Sequence, residues 1–408
     1  MTQVYLDHNA TTPVDPAVLD TMLPYYREVF GNASSIHHFG AAAKKGLDEA
    51  REIVATYLGC EPTEVVFTSG ATEADNHVLR GVFEARRQKG KHIIVSAIEH
   101  PAVLITAEKL KQAGADVTFV GVDGNGMIDP EAVRAALRDD TILVSIMYAN
   151  NEIGTIQPIA EIGRIVKERG IMFHTDAVQA AGKLPLRVKD LGVDFMSLSG
   201  HKIYGPKGIG VVYIRRGAFI RPIITGGHHE SNRRAGTENV PGIVGFAKAF
   251  QLAHERMEED GRRIGEMRDH LQRRLLELIP NIYVTAKNAR RLPGTLHVLV
   301  NFIEGEGLML KLSLNHGIAI STGSACTSGT LEPSHVLSAM GISKQLANSG
   351  VRISLGRGNT PAEMDYVAEA MAREVKILRD MSPLYDSYTR GRMSEDDRRM
   401  YDSFVTAR

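Results

Sequence analysis

Cysteine is scarce in this chain: Cys60 and Cys326 are the two it has among 408 residues. Two cysteines with no Cys-x-x-Cys pair make neither a disulfide framework nor a zinc ribbon, and reduced thiols are expected. Charge of one sign is also lacking. Lys plus Arg number 48, Asp plus Glu number 48, and the formal net charge is zero. Nucleic acid and anionic membranes are therefore not expected as main partners. No apolar run approaches the roughly 18 residues that a membrane span needs. The opening residues, Met1 to Asp7, show neither the basic nor the apolar segment of a secretory leader. A cytoplasmic location is the default expectation. Internal repeats and low-complexity tracts are absent as well.

What is present is alternation. Short, β-branched apolar runs at 65–68, 92–97, 117–120, 142–148, 171–175, 194–199 and 210–214 read as buried strands. Longer amphipathic stretches at 73–89, 103–113, 131–138 and 159–169 read as helices between them. Strand and helix in turn predict an α/β fold, a mostly parallel sheet covered on both faces. The length allows two domains, or one large and one smaller. From 242 to about 278 a charge-rich helical stretch reads as a connector. Beyond 282, strands at 295–302 and 351–354 and helices at 306–316 and 361–381 predict a smaller α+β domain. The polar residues 391–408 read as a loosely packed tail.

Ligands of such sheets bind beyond the carboxyl ends of the strands, so the polar residues there carry the functional reading. Ser69-Gly70-Ala71-Thr72-Glu73 is a small-residue turn opening a helix, suited to a phosphate. An ordinary capped helix start explains it equally. His100, before Pro101, could stack on a flat ligand, although a single histidine is commonly structural. Asn150 and Asn151 follow the strand at 142–148 and also suit a turn. Asp176 ends a buried strand, where a carboxylate is costly unless paired. A protonated pyridine nitrogen would pair with it; a helix N-cap is the alternative. Lys202, in Ser199-Gly200-His201-Lys202, ends the following strand. A desolvated lysine there would serve as nucleophile and base. Five strand ends offering a phosphate cradle, a ring, an amide, a carboxylate and a lysine are hard to assign to chance.

These residues carry a resemblance. The chain resembles the PLP-dependent (pyridoxal-5′-phosphate) enzymes of fold type I, within them the class V aminotransferase superfamily and its NifS/IscS-type cysteine desulfurases. The motifs are Tyr5-Leu6-Asp7-His8-Asn9-Ala10-Thr11-Thr12-Pro13, Gly31-Asn32-Ala33-Ser34-Ser35, Asn150-Asn151-Glu152-Ile153-Gly154-Thr155, His174-Thr175-Asp176-Ala177-Val178-Gln179, Gly323-Ser324-Ala325-Cys326-Thr327-Ser328-Gly329 and Leu331-Glu332-Pro333-Ser334-His335. The resemblance implies a large PLP-binding domain over 15–260 with a mostly parallel seven-stranded sheet. It implies a small domain from 1–14 and 261–408 that carries a catalytic cysteine loop at about 321–332.

The resemblance also implies roles. Lys202 would bear the cofactor, Asp176 would pair with its ring nitrogen and His100 would stack on its ring. Asn151 and Gln179 would bond the ring oxygen. Thr72, Ser199, His201 and the backbone of Ala71 would hold the phosphate, with Thr237 reaching the phosphate of a second subunit in a homodimer with shared sites. Arg352 would clamp the substrate carboxylate, a job that suits a guanidinium fork, near Asn32. Lys202 would remove the α-proton of L-cysteine, with His100 as acid–base partner. Cys326 lies among small polar residues that are expensive to order, so its segment is expected to be mobile. Its thiolate would take the sulfur as a persulfide, leaving L-alanine. Cys60 reads as a small buried hydrophobe.

No resident metal is implied, although Cys326 is a candidate transient iron–sulfur ligand. The implied acceptor is an iron–sulfur scaffold protein. The tail lacks the Ile-Glu-Trp-like ending of housekeeping relatives, which favours a NifU-like scaffold over an IscU-like one. A selenocysteine lyase, or a non-catalytic scaffold on the same fold, stands as the alternative.

Overall fold

The computed structural model describes residues 3–322 and 333–405. Cys326 and its expected mobile loop lie outside the described residues. The strands are β1 (Val4–Tyr5), β2 (Val65–Thr68), β3 (His92–Ser96), β4 (Asp116–Val120), β5 (Thr141–Ser145), β6 (Met172–Asp176), β7 (Phe195–Ser199), β8 (Gly210–Ile214), β9 (Ile282–Val284), β10 (Thr295–Val300), β11 (Ile318–Ala319) and β12 (Gly350–Ser354).

Seven of them form one sheet in the order β2-β8-β7-β6-β5-β3-β4. Its pairs are parallel except those of β8, which runs antiparallel to β2 and β7. Every residue of β3, β5, β6 and β7 is buried. That is why β3 and β5 read as short continuous Val/Ile/Leu runs rather than alternating ones. Helices cover both faces. Ala71–Arg86 and Pro101–Gln112 pack on one face around Val78, Val82 and Val103. On the other, His38–Leu58 and Val240–Glu255 pack around Val54, Phe246 and Phe250. Each of those two phenylalanines takes on the order of 150–250 Å² out of water, worth several kcal/mol at about 25 cal/mol per Å².

A second core has its own antiparallel sheet, β12-β10-β9. The helices Met257–Leu278, Gly305–His316 and Pro361–Asp380 bury Leu271, Leu308 and Met371 against it. A capping box starts the last of these: Thr360 and Glu363 exchange side-chain-to-backbone hydrogen bonds around Pro361. The N-terminus joins this second core. β1 pairs in parallel with β11, and Val4 and Leu6 are buried in it.

Two expectations change. The connector is two helices, Val240–Glu255 and Met257–Leu278, interrupted at Arg256, whose φ and ψ are −99° and 1°. The first turns its apolar face to one core and the second to the other, and one straight helix does not serve both. The tail is not loose throughout. Glu395–Val405 is a helix, and Tyr401, 3% exposed, packs its ring 4.4 Å from that of Phe302. Among the described residues no helix is long and apolar enough to cross a membrane.

Candidate active site

A cavity of about 640 Å³ opens at the carboxyl ends of the parallel strands, where open α/β sheets bind ligands and of a size to hold a small cofactor with substrate. Ala71, Thr72, His100, Asn151, Asp176, Gln179, Ser199, His201, Lys202 and Arg352 all line it. Asn32 and Thr237 do not; both are exposed, and Asn32 Oδ1 accepts the Ser34 N–H at 2.9 Å.

One wall is the start of the helix Ala71–Arg86. Gly70, at φ 155° and ψ 175°, holds a backbone region open only to glycine and gives the helix no side-chain cap. The N–H groups of its first turn therefore keep no side-chain partner at that end, which leaves an anion site. His100 is the N-cap of the next helix. Its Nδ1 accepts the Ala102 N–H at 3.1 Å, with Pro101 at the first helical position. Burial, then the positive Lys202 and His335, push its pKa down to about 4. The ring is neutral at pH 7, and with Nδ1 accepting, Nε2 carries the hydrogen.

Asp176 is the last residue of β6, 6% exposed, with Oδ1 accepting the Val178 N–H at 2.9 Å. Burial raises its pKa, opposed by that hydrogen bond and by Lys202. Behind it the buried His174 bridges Ser145 Oγ at 2.8 Å and Ser197 Oγ at 3.0 Å, linking β5, β6 and β7. Burial pushes the His174 pKa down to about 3, so it is a neutral strut.

Lys202 follows β7 in a short 3-10 turn, and its Nζ donates to the carbonyl oxygens of Asn9 and Ala10, both at 2.6 Å. Asn9 in turn donates to Thr295 Oγ1 at 2.9 Å and to the Asn151 carbonyl at 3.1 Å. Arg352, on β12, reaches in from the second core. It donates to Asp7 Oδ1 at 2.8 Å and to the Asn151 carbonyl at 3.2 Å, while its buried Nε has no partner among the described residues. Asn150 is the turn former of its pair, its Oδ1 accepting from the Glu152 and Ile153 N–H groups, and Asn151 is the one on the cavity.

The described residues on either side of 323–332 are fixed on this rim. Ser321 exchanges two backbone hydrogen bonds with Arg352, at 2.7 and 3.0 Å. Ser334 Oγ donates to the buried Glu152 at 2.5 Å, and His335 Nε2 lies 2.9 Å from the Glu99 carbonyl. Burial pushes the Glu152 pKa up to about 7 and that of Glu99 up to about 8.

Sequence reasoning missed Asn9, Ala10, Thr11 and Met147, which also line the cavity. Asn9 and its neighbours stood inside a quoted motif without a role; Met147 carried no chemical signal.

Residues 4–367 match the family model for aminotransferase class-V. The chain is 52% identical over 381 residues to cysteine desulfurase IscS of Methanosarcina thermophila, covering 93% of this chain and 94% of the relative. Among solved structures, a NifS-like protein is 42% identical with a TM-score of 0.87, covering 92% of this chain and all of the other. SspA in complex with cysteine is 37% identical with a TM-score of 0.76, covering 87% of this chain and 99% of its own. The chain belongs to the class-V aminotransferase family. Within that family it falls among the cysteine desulfurases of the NifS/IscS type.

Proposed function

We propose that this cysteine desulfurase uses pyridoxal-5′-phosphate to move sulfur from L-cysteine to Cys326, releasing L-alanine, and that it passes the persulfide to an iron–sulfur scaffold protein. The donor set fits that cofactor. A buried carboxylate facing the cavity, Asp176, suits a protonated ring nitrogen; an uncapped helix start suits a phosphate; Lys202 supplies the amine. Ala71, Thr72, Ser199 and His201 would hold the phosphate, and Asn151 and Gln179 the ring oxygen. His100 would cover the ring. Thr237 would act from a second subunit, in a homodimer in the cytoplasm. The bound cofactor supplies an electron sink for negative charge at the substrate α-carbon.

The protein residues do the rest. Arg352 receives the substrate carboxylate on the part of its guanidinium that Asp7 and Asn151 leave open. Lys202 takes the α-proton, as a lysine in a desolvated cationic site can. His100 holds a hydrogen on Nε2 for transfer within the site. The Cys326 thiolate attacks the substrate sulfur. A sulfur–sulfur bond forms and the carbon–sulfur bond breaks, its electron pair staying with the carbon, which takes a proton to become the methyl of alanine. Substrate carboxylate, α-proton and sulfur must therefore be reached from one space.

The observation that carries the reading is the meeting of Lys202, Asp176, His100 and Arg352 in one cavity, with Ser321, just before 323–332, hydrogen-bonded to Arg352. The test is the rate of L-alanine release from L-cysteine and from L-selenocysteine. Faster alanine release from L-cysteine, with persulfide on the enzyme, supports the reading. Alanine from L-selenocysteine alone would overturn it.

A further inference from the structure

Four residues beyond the Gln179 that faces the cavity lies a second lysine. Lys183 sits at the end of the turn that follows β6, and its ammonium is buried. Among the described residues no carboxylate forms an ion pair with it. Its hydrogen-bond partner is Gln179: Nζ lies 3.2 Å from Oε1. On the other side of the same amide, Nε2 donates to the Asn9 carbonyl at 2.9 Å. That carbonyl also accepts from Lys202. The row runs Lys183, Gln179, Asn9, Lys202.

The two contacts fix the amide independently. An ammonium has hydrogens to give and no lone pair, and a carbonyl oxygen has lone pairs and no hydrogen. Turning the amide over would set nitrogen against nitrogen at Lys183 and oxygen against oxygen at Asn9. Both hydrogen bonds would be lost in a buried place, where unmade bonds are costly. With Oε1 taken by Lys183 and one amide hydrogen taken by Asn9, the group left to Gln179 is its second N–H.

We infer that Lys183 is a positioning residue for Gln179: its ammonium holds the amide so that Gln179 meets the cofactor's ring oxygen as a hydrogen-bond donor. This rests on the proposed contact between Gln179 and that oxygen. The surroundings make the charge on Lys183 expensive to keep. Burial, then Lys202 and Arg352, push the Lys183 pKa down to about 7, and His8 faces it as well. Asp260 and Arg357 line the same narrow space with Lys183. A lysine kept without a counter-ion in such company has a use for its hydrogens.

The test is a double-mutant cycle on the cofactor-loaded enzyme, read by visible absorption rather than turnover. A donor on the ring oxygen stabilises its negative charge once the proton shared with the Lys202 nitrogen has left. Losing that donor raises the pH midpoint of the colour change. Gln179→Leu should raise it by about one unit, the weight of one hydrogen bond. Lys183→Met should raise it by about half a unit or more, Lys183→Arg should restore it, and Lys183→Met in the Gln179→Leu background should add nothing. Lys183→Gln takes the place of Lys183→Met should the latter not fold. If Gln179→Leu shifts the midpoint and the Lys183 change does not, the inference is overturned while the contact stands. If the Lys183 shift is equally large without Gln179, Lys183 acts as a bare charge and the inference is overturned. If Gln179→Leu itself leaves the midpoint unmoved, the proposed contact fails and the inference falls with it.

Discussion

Lys202 Nζ and the carbonyl oxygen of Asn9 are 2.6 Å apart, a contact between the end of the large sheet and a segment tied to the other core. The lysine thus holds the N-terminal segment in place through two carbonyls, Asn9 and Ala10. Lys202→Ala leaves both without it. The expected cost to the cofactor-free protein is about 1 kcal/mol, the net weight of a hydrogen bond, because the Asn9 carbonyl keeps Gln179 as a donor. Turnover should fall by on the order of a thousandfold or more with the loss of nucleophile and base. Urea unfolding and alanine release measure the two effects; undiminished turnover would count against Lys202 as the reactive amine.

Arg352 makes a different prediction because it is already shared. Asp7 and the Asn151 carbonyl take part of its guanidinium. Alanine at 352 would strand Asp7, so lysine is the cleaner change: it keeps the charge and loses the fork. A charge-assisted hydrogen bond is worth about 1.5–3 kcal/mol, so KM for L-cysteine should rise roughly 10- to 100-fold. The change in kcat should be much smaller. An unchanged KM would place the carboxylate clamp elsewhere.

Glu99 gives a prediction about pH. Ser96 Oγ and the Met147 N–H both donate to its Oε1, at 2.5 and 2.7 Å, and Oε2 is buried with no hydrogen-bond partner among the described residues. Burial raises the folded pKa to about 8, above an unfolded value of about 4.5. Between those values the folded protein binds more protons than the unfolded one. The contribution of Glu99 to stability is therefore fully present below about 4.5 and is lost as pH rises toward about 8. Glu99→Gln copies the protonated form. It should flatten the fall across that window and leave the variant the more stable at pH 8. Thermal unfolding at a series of pH values checks this; an unchanged slope would mean that Glu99 is ionised in the fold.

Much of this was legible in the chain, for physical reasons. Buried strands are rich in apolar residues, and so the seven runs stood out. A carboxylate such as Asp176 or a lysine such as Lys202 at the end of such a run is conspicuous because burial makes it expensive. What was not legible depends on distance in the sequence or on shape. Nothing near Asn9 says that its carbonyl meets Lys202. The spacing of Gln179 and Lys183 is ordinary for a turn. The break at Arg256 has no proline or glycine to announce it. The tail was judged by its charge, although Tyr401 alone gives its helix an anchor on Phe302. Asn32 and Thr237 were nominated through resemblance and lie off the cavity.

The most direct measurement is where the sulfur goes. Cys60 is the internal control: burial, then Glu64 and Glu61, push its thiol up to about 12, so it holds almost no thiolate at neutral pH. The holoenzyme is given one equivalent of L-cysteine, alkylated and digested, and its two cysteine peptides are weighed by mass spectrometry. The account predicts one added sulfur on the Cys326 peptide, none on the Cys60 peptide, and one L-alanine released. Cys326→Ala should keep the cofactor's visible band and lose the persulfide. Added sulfur on Cys60, or undiminished alanine release from Cys326→Ala, would contradict it.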